Sequence, residues 1–401
     1  MKDIFPHKHL AIVIIIIVAS VFLLSKCVQS KQEEKKIIKN LKGQEYAGTE
    51  SCRNCHQAIY DSFSATRHHH ESEPASEENI KGSFSKNKNI LYLDSSRKVI
   101  MEKRPGGLFQ VAYINGKEER AERFDITIGT GKHGQTYLYW NYYNELYQLP
   151  MSYSANTDYW ANSPGYPNDK ISFDRLIEAR CLECHTTFAK QDLFFGFDRN
   201  QIIYGIDCER CHGPAANHVE FHTAHTGEKQ GKFIINPASL SREISLDVCA
   251  VCHSGIMQSK TNAFSFMPGD TLSRHFYKNP KAIDSVTLDV HANQYGLLTA
   301  SKCFRMSTTM TCNSCHNTHV KENGNLTAYA QKCINCHTQS NHTFCTLQPT
   351  QGFSLEANCI NCHMPVKNSK NIIMSSSPEL VRTHRIGIYP EAITKWRLLT
   401  N

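Results

Sequence analysis

The sequence predicts a mainly α and irregular fold organised by bound groups, with a small antiparallel β insertion near its front. Three observations predict it. The segment Cys-x-x-Cys-His occurs seven times: Cys52–His56, Cys181–His185, Cys208–His212, Cys249–His253, Cys312–His316, Cys333–His337 and Cys359–His363. Fourteen of the 17 cysteines belong to these copies, the others being Cys27, Cys303 and Cys345. Residues 89–160, between the first copy and the second, contain no cysteine and read as strands.

Cys-x-x-Cys-His is the attachment pattern of c-type haem. Two thiols three residues apart share a face of one helical turn, so both sulfurs reach the two vinyl edges of one porphyrin. The histidine after the second cysteine then lies beneath the iron and supplies an axial nitrogen. The expected cofactor is therefore haem c, seven copies, covalently attached through Cys52 and Cys55, Cys181 and Cys184, Cys208 and Cys211, Cys249 and Cys252, Cys312 and Cys315, Cys333 and Cys336, and Cys359 and Cys362. The proximal ligands are His56, His185, His212, His253, His316, His337 and His363. Zinc ribbons and thioredoxin-like dithiols also use Cys-x-x-Cys, but zinc does not require the next residue to be histidine, and redox dithiols come singly.

Residues 181–363 hold six of the sites in 183 residues. That density leaves little room for an apolar core, so the porphyrins must serve as one. The fold class is a multihaem cytochrome c fold with the β insertion between haem 1 and haem 2. The haem-free chain should be largely unfolded. The formal charge of +7 would suit nucleic acid or acidic lipid. Each ferric haem with its two propionates brings about −1, however, so seven cancel it. Lys and Arg then read as propionate partners, and no nucleic-acid partner is expected.

The elements follow in order. Residues 1–28 carry Lys2 and Lys8 and then the apolar run Leu10–Leu24, a signal or anchor segment. Fifteen apolar residues are short for a span, which takes about 20. Leu24-Ser25-Lys26-Cys27 resembles a lipoprotein box, but Lys26 stands where a small residue is needed, so an uncleaved anchor is favoured over lipidation at Cys27. Residues 29–45 are a polar tether. Residues 46–88 form the haem 1 segment, with Cys52–His70 one helix carrying Ile59 and Phe63 on one face, then a polar linker over Glu71–Lys88. Residues 89–160 offer hairpins turning at Asp94-Ser95-Ser96, at Asn115-Gly116 and around Asn141–Asn144. Residues 161–365 are the haem 2–7 domain, read as helical scraps and loops. Residues 366–401 are a tail with His384 and an amphipathic piece around Trp396.

A second axial histidine makes a haem six-coordinate and suited to electron transfer, whereas an open position admits substrate. Beyond the motifs, and beyond His7 and His9 before the apolar run, twelve histidines remain for seven irons. The distal candidates are His68, His133, His218, His291, His319, His342 and His384. Their spacing constrains them. His68 would lie about 18 Å along the helix from His56, so it must serve another haem. His319, three residues after His316, and His218, six after His212, face the same restriction. His69, His70, His222, His225 and His275 have ordinary polar or propionate-binding roles open to them. Cys303 and Cys345 are expected to pair, since leftover thiols outside the cytoplasm usually do. Met306 and Met364 read as packing residues. Gly129-Thr-Gly131-Lys-His-Gly134 matches a dinucleotide fingerprint, but TYLYW after it is strand, not helix. His133 in that loop is a distal ligand, an acid–base group near an open haem, or a plain loop residue.

These residues resemble the cytochrome c554 (c-552/4) family of multihaem cytochromes. YAGTESCRNCHQAIYDSFSATRHH looks like its opening, with Phe63, Thr66 and His68 in the aromatic-x-x-Ser/Thr-x-His ending. CERCHGPAANH is similar to its Cys-x-x-Cys-His-Gly-Pro…His element. CNSCHNTH resembles a Cys-x-x-Cys-His-x-Pro-His element with Thr318 in place of Pro, and CINCHMP with His384 resembles the closing segment. The resemblance implies mostly bis-His haems in stacked pairs, with His68, His218, His319 and His384 as distal ligands. It does not transfer the pairing, since the name-giving member has four haems. Ammonia-forming relatives attach their catalytic haem through Cys-x-x-Cys-Lys, which is absent here.

The expected function is electron transfer in a respiratory chain. The expected partners are a membrane-bound donor and an extracytoplasmic redox acceptor, with the chain exported to the periplasm or cell surface. The alternative is a multihaem oxidoreductase acting on a small nitrogen or sulfur compound at one five-coordinate haem.

Overall fold

The computed structural model describes residues 17, 37–192, 194–277, 288–322, 324–338, 340, 344–347, 354–374 and 377–399. It divides into two units, Met1–Ile38 and Lys39–Asn401. The anchor segment, Cys27 included and Ile17 excepted, residues 29–36 of the tether and His342 lie outside the described residues. Among the described residues no helix is long and apolar enough to cross a membrane.

The first helix is Thr49–Phe63, shorter than the expected Cys52–His70. His56 leaves the helical region at φ −114, ψ 38. The Ser62 and Ser64 hydroxyls donate to the Ile59 and Asp61 carbonyls, and the Thr66 amide donates to Phe63 O. These local bonds compete with the helical ladder and turn the chain, leaving His68 beyond the helix. Phe63 is buried, whereas Ile59 is exposed.

Ten strands follow: β1 Ser72–Pro74, β2 Ile90–Tyr92, β3 Arg97–Arg104, β4 Gly107–Ile114, β5 Lys117–Arg123, β6 Ile126–Ile128, β7 Gly134–Trp140, β8 Leu146–Gln148, β9 Met151–Ser154 and β10 Tyr159–Asn162. They make two antiparallel sheets rather than one: β2-β3-β4-β5, and β1-β6-β7-β9-β10 with β8 beside β7. The turns fall where the sequence places them. Asp94 Oδ1 accepts the Ser96 and Arg97 amides, and Asn115 and Gly116 take positive φ of 50° and 78°, as a two-residue hairpin turn requires. The Gly-rich loop leads into β7, a strand.

Alternation on β3, β7, β9 and β10 turns Val99, Met101, Tyr137, Tyr139, Met151 and Trp160 into one shared core, joined by Ile80, Phe124 and Phe173. Gln110, buried on β4, donates to Met151 O at 2.7 Å and accepts from Met151 N at 2.9 Å, tying sheet to sheet. The stretch 71–88 is more than a linker. Ser72–Pro74 pairs with β6, Ile80 enters the core, and Ser83 O accepts the Trp160 indole N–H at 2.9 Å. A Cβ at Gly82 would stand 2.1 Å from the Trp160 ring, so only glycine fits there.

Beyond residue 161 the fold is short helices around motifs, as expected, but two further hairpins interrupt them. These are β11 Thr186–Gln191 with β12 Phe197–Tyr204, and β13 Val366–Met374 with β14 Ser377–Arg382. Thr186 to Ala189 are all buried, so the strand carries no alternation for a sequence reading to find. The described apolar cluster of this part is small: Ala250, Val251, Met257, Phe266, Leu272 and Phe276. Residues 390–399 form a closing helix.

Candidate functional site

A continuous cavity of about 2970 Å³ runs through the motif region. Ordinary ligand pockets hold about 300–1,000 Å³. Its wall carries the cysteines and histidines of the first six motifs, together with Met364 and His384. Every described motif sits on or beside a short helix that turns its cysteines to one side. Examples are Ala179–His185, Cys208–His212, Arg242–His253 and Cys359–His363.

The residues between paired cysteines lock the motifs together. Glu209, buried, accepts the amides of Ala47, Gly48 and Ala215 at 2.7–2.9 Å, which fastens the opening of motif 1 to motif 3. Glu183, also buried, accepts from Arg180 at 2.8 Å and from the Phe264 amide at 2.8 Å. Arg210 donates to Glu183 O at 2.8 Å and Arg180 to Val251 O at 2.6 Å, joining motifs 2, 3 and 4. Thiols of different motifs consequently face one another. Cys184 approaches Val251 O at 3.8 Å while Cys252 approaches Glu183 O at 4.0 Å. Cys52 faces Cys208, Cys249 faces Cys312 and Cys333 faces Cys359. The Cys252 thiol is lowered to about 5, first by Cys184 beside it and then by Arg210 and His253, against the opposing cost of burial.

Proximal histidines have Nδ1 engaged by an acceptor. His185 Nδ1 donates to Glu71 Oε1 at 2.7 Å, His212 to Ile235 O at 2.8 Å and His253 to Gln294 Oε1 at 3.1 Å. His316 donates to Glu322 Oε2 at 2.8 Å and His363 to Gly387 O at 2.7 Å. A carboxylate or carbonyl oxygen can only accept, so the proton sits on Nδ1 and Nε2 presents its lone pair. Metal-bound histidines use this arrangement. Glu71, Glu322 and Gln294 were not legible as site residues, because nothing in their spacing marks them.

Three distal candidates lie opposite proximal histidines. His68 faces His253 with ring centroids 6.2 Å apart at 74°, His319 faces His212 at 6.0 Å and 20°, and His384 faces His316 at 6.2 Å and 29°. With a metal–imidazole bond of about 2 Å and about 1.2 Å from each ligating nitrogen to its ring centre, two imidazoles sharing one iron stand about 6.4 Å apart. The residues present therefore fit iron held between histidines. All three cross from one motif to another, as expected for His68 and His319, although the continuous helix behind the His68 expectation ends at Phe63. Burial, and next the neighbouring His253, lower the His68 imidazole; burial and then His316 push His384 down to about 4. His68 is placed by the start of motif 3: Ile206 N donates to His68 O at 2.7 Å, and a Cβ at Gly205 would lie 2.1 Å from His69 O.

The other candidates divide. His218 lines the cavity with Nδ1 donating to Lys232 O at 2.8 Å. His291 lines it too, its imidazole lowered mainly by burial. His133 lines it with Nδ1 bonded to the buried Glu379. His275 uses both nitrogens, on Thr261 and Asp270, and is a structural residue. His70 pairs with Glu73, His69 lies by Asp207, and His225 stacks on Phe221. Cys303 and Cys345 form no disulfide with each other. Cys303 lies near Cys336 and Cys345 near Cys362.

The repeated thiol pairs, the cavity and the opposed imidazoles resemble those of multihaem c-type cytochromes. Within that class the chain resembles the cytochrome c554 family: residues 152–213, spanning motifs 2 and 3, match the family described as cytochrome c554 and c-prime. It is 25% identical over 178 residues to the multiheme cytochrome MtrA of Shewanella baltica (strain OS185), a match covering 40% of this chain and 52% of that protein. The chain thus spans about half the length of that curated relative. The crystal structure of the outer cell wall cytochrome OcwA superposes with a TM-score of 0.52 at 15% identity, over 87% of this chain and 81% of that one. The likeness to OcwA is one of fold.

Proposed function

We propose that the chain is an extracytoplasmic heptahaem c-type cytochrome that moves electrons along closely spaced, mostly bis-His haems in a respiratory chain. The observation that carries the reading is the set of opposed histidine rings 6.0–6.2 Å apart within one continuous cavity. Bound there, haem supplies a one-electron iron couple. The chain's own residues do the rest. Fourteen cysteines hold the porphyrin edges, seven histidines supply proximal nitrogens, and Glu71, Glu322 and Gln294 fix ring orientation. His68, His319 and His384 close the far faces of haems 4, 3 and 5; His218, His133, His291 and His342 remain candidates for the others.

Motif 4 stands beside motif 2 through Cys184 and beside motif 5 through Cys312, which supports a conductor in which haem 4 links haems 2 and 5. Its partners would be a membrane-bound donor and an extracytoplasmic acceptor. Export is supported by the chemistry of covalent haem attachment and by the cell-wall relative. Low-temperature electron paramagnetic resonance of the oxidised holoprotein tests the reading: only low-spin iron is expected.

A second reading has one specific observation behind it. Among the described residues no histidine ring opposes His56, His185 or His363 at the 6 Å spacing, and Arg67, Lys132 and His133 line the same cavity. An open iron at one of these three haems would make the chain an oxidoreductase of a small nitrogen or sulfur compound. One high-spin signal of seven would favour it.

A further inference from the structure

Two hairpin tips that are distant in sequence meet at the surface and expose four aromatic rings. Tyr142 and Tyr143, between β7 and β8, are 92% and 73% exposed; Phe194 and Phe195, between β11 and β12, are 81% and 60% exposed. Single exposed apolar residues are ordinary, but two adjacent pairs on adjoining tips make a patch.

Both tips are held in shape by their own side chains. Asn141 Oδ1 accepts the amides of Tyr143 and Glu145 at 2.9 and 2.8 Å. Asp192 Oδ1 accepts those of Phe194 and Gly196 at 2.9 and 3.1 Å. The tips are then tied to each other. Phe197 N donates to Asn144 O at 2.8 Å, and Arg199 donates to Asn141 O at 3.0 Å while its guanidinium lies 4.8 Å above the Trp140 ring. A preorganised aromatic surface binds with little ordering cost.

We infer that this four-ring platform rests in the interfacial layer of a lipid bilayer. Two features favour lipid. Exposed Tyr rings sit at the headgroup level with an apolar face and a polar end, and Phe beside them is a side chain that amphipathic surfaces bury at the acyl boundary. The same chain carries the apolar run Leu10–Leu24 followed by a polar tether, so a bilayer is within reach of the domain. The inference rests on that tethered reading. Because Glu178–Arg180, leading into motif 2, shares a small groove with Phe195, the contact would bring haem 2 toward the membrane.

The test uses the full-length holoprotein with vesicles of equal parts phosphatidylethanolamine and phosphatidylglycerol. Amide exchange is followed in the peptides carrying Tyr142-Tyr143 and Phe194-Phe195. Exchange there should slow about tenfold in vesicles, with no change at the Asn115-Gly116 turn. The variant carrying Tyr142→Ser, Tyr143→Ser, Phe194→Ser and Phe195→Ser should float with the vesicles yet lose that protection. Flotation without protection of the wild-type tips overturns the platform and leaves the tether standing. Failure to float overturns both. Protection that grows with protein concentration without lipid assigns the patch to self-association and overturns the inference.

Discussion

The two-sheet region of residues 90–162 and the motif region of residues 180–363 are built on different principles. In the first, Trp160, Tyr137, Met101 and their neighbours bury one another, and the strands that carry them close their own hydrogen bonds. In the second, short helices surround a cavity of about 2970 Å³, and side chains pack on one another in small groups, around Ala250 and Phe266 and between Phe188 and Phe264. One region holds its shape by excluding water from itself. The other surrounds a space, which haem would fill under the proposed function. A high density of Cys-x-x-Cys-His in a sequence is therefore a statement about stability as much as about chemistry.

The contrast breaks most directly on removal of the cofactor. Chain produced without haem attachment should lose amide-exchange protection throughout 180–363, by about a thousandfold, while the sheets keep theirs. Collapse of both regions together would show that the sheets depend on haem as well. The converse substitution, Trp160→Ala, should cost the sheet region about 3–5 kcal/mol in denaturant unfolding. Its haem absorption spectrum should not change.

Much of this division was legible in the sequence. The seven motifs, the two turns at Asp94 and Asn115-Gly116, and the placing of His319 away from its own motif follow from spacing and turn chemistry, whereas the same expectation for His68 rested on a helix that ends at Phe63. The number of sheets was not legible, because β1 lies in a polar stretch whose pairing with β6 is a long-range choice. Nor was the hairpin after His185, since four buried residues in succession carry no period. The helix predicted to reach His70 ends at Phe63 because serine hydroxyls capture its last carbonyls. The second ligand shell was hidden for a simpler reason. Ile235 and Gly387 contribute main-chain carbonyls, which no side-chain pattern reports.

Two smaller effects sharpen the account of the motif region. His68→Ala should turn one iron high-spin, and that iron should be the one on Cys249 and Cys252 rather than on Cys52 and Cys55. Selective removal of each attachment site, followed by magnetic circular dichroism, assigns it. Glu71→Gln should leave haem content intact but raise the potential of the haem on Cys181 and Cys184. The weaker acceptor makes the His185 imidazole less basic and so stabilises ferric iron less. An unchanged set of midpoint potentials would remove Glu71 from the site.

The most direct measurement is the intact mass of matured protein under denaturing conditions, where only covalently held cofactor survives. Seven haem additions, released as separate peptides bearing Cys-x-x-Cys-His, are the predicted result. A mass equal to the bare polypeptide, or one carrying four haems or fewer, would contradict a fold assembled around seven iron centres.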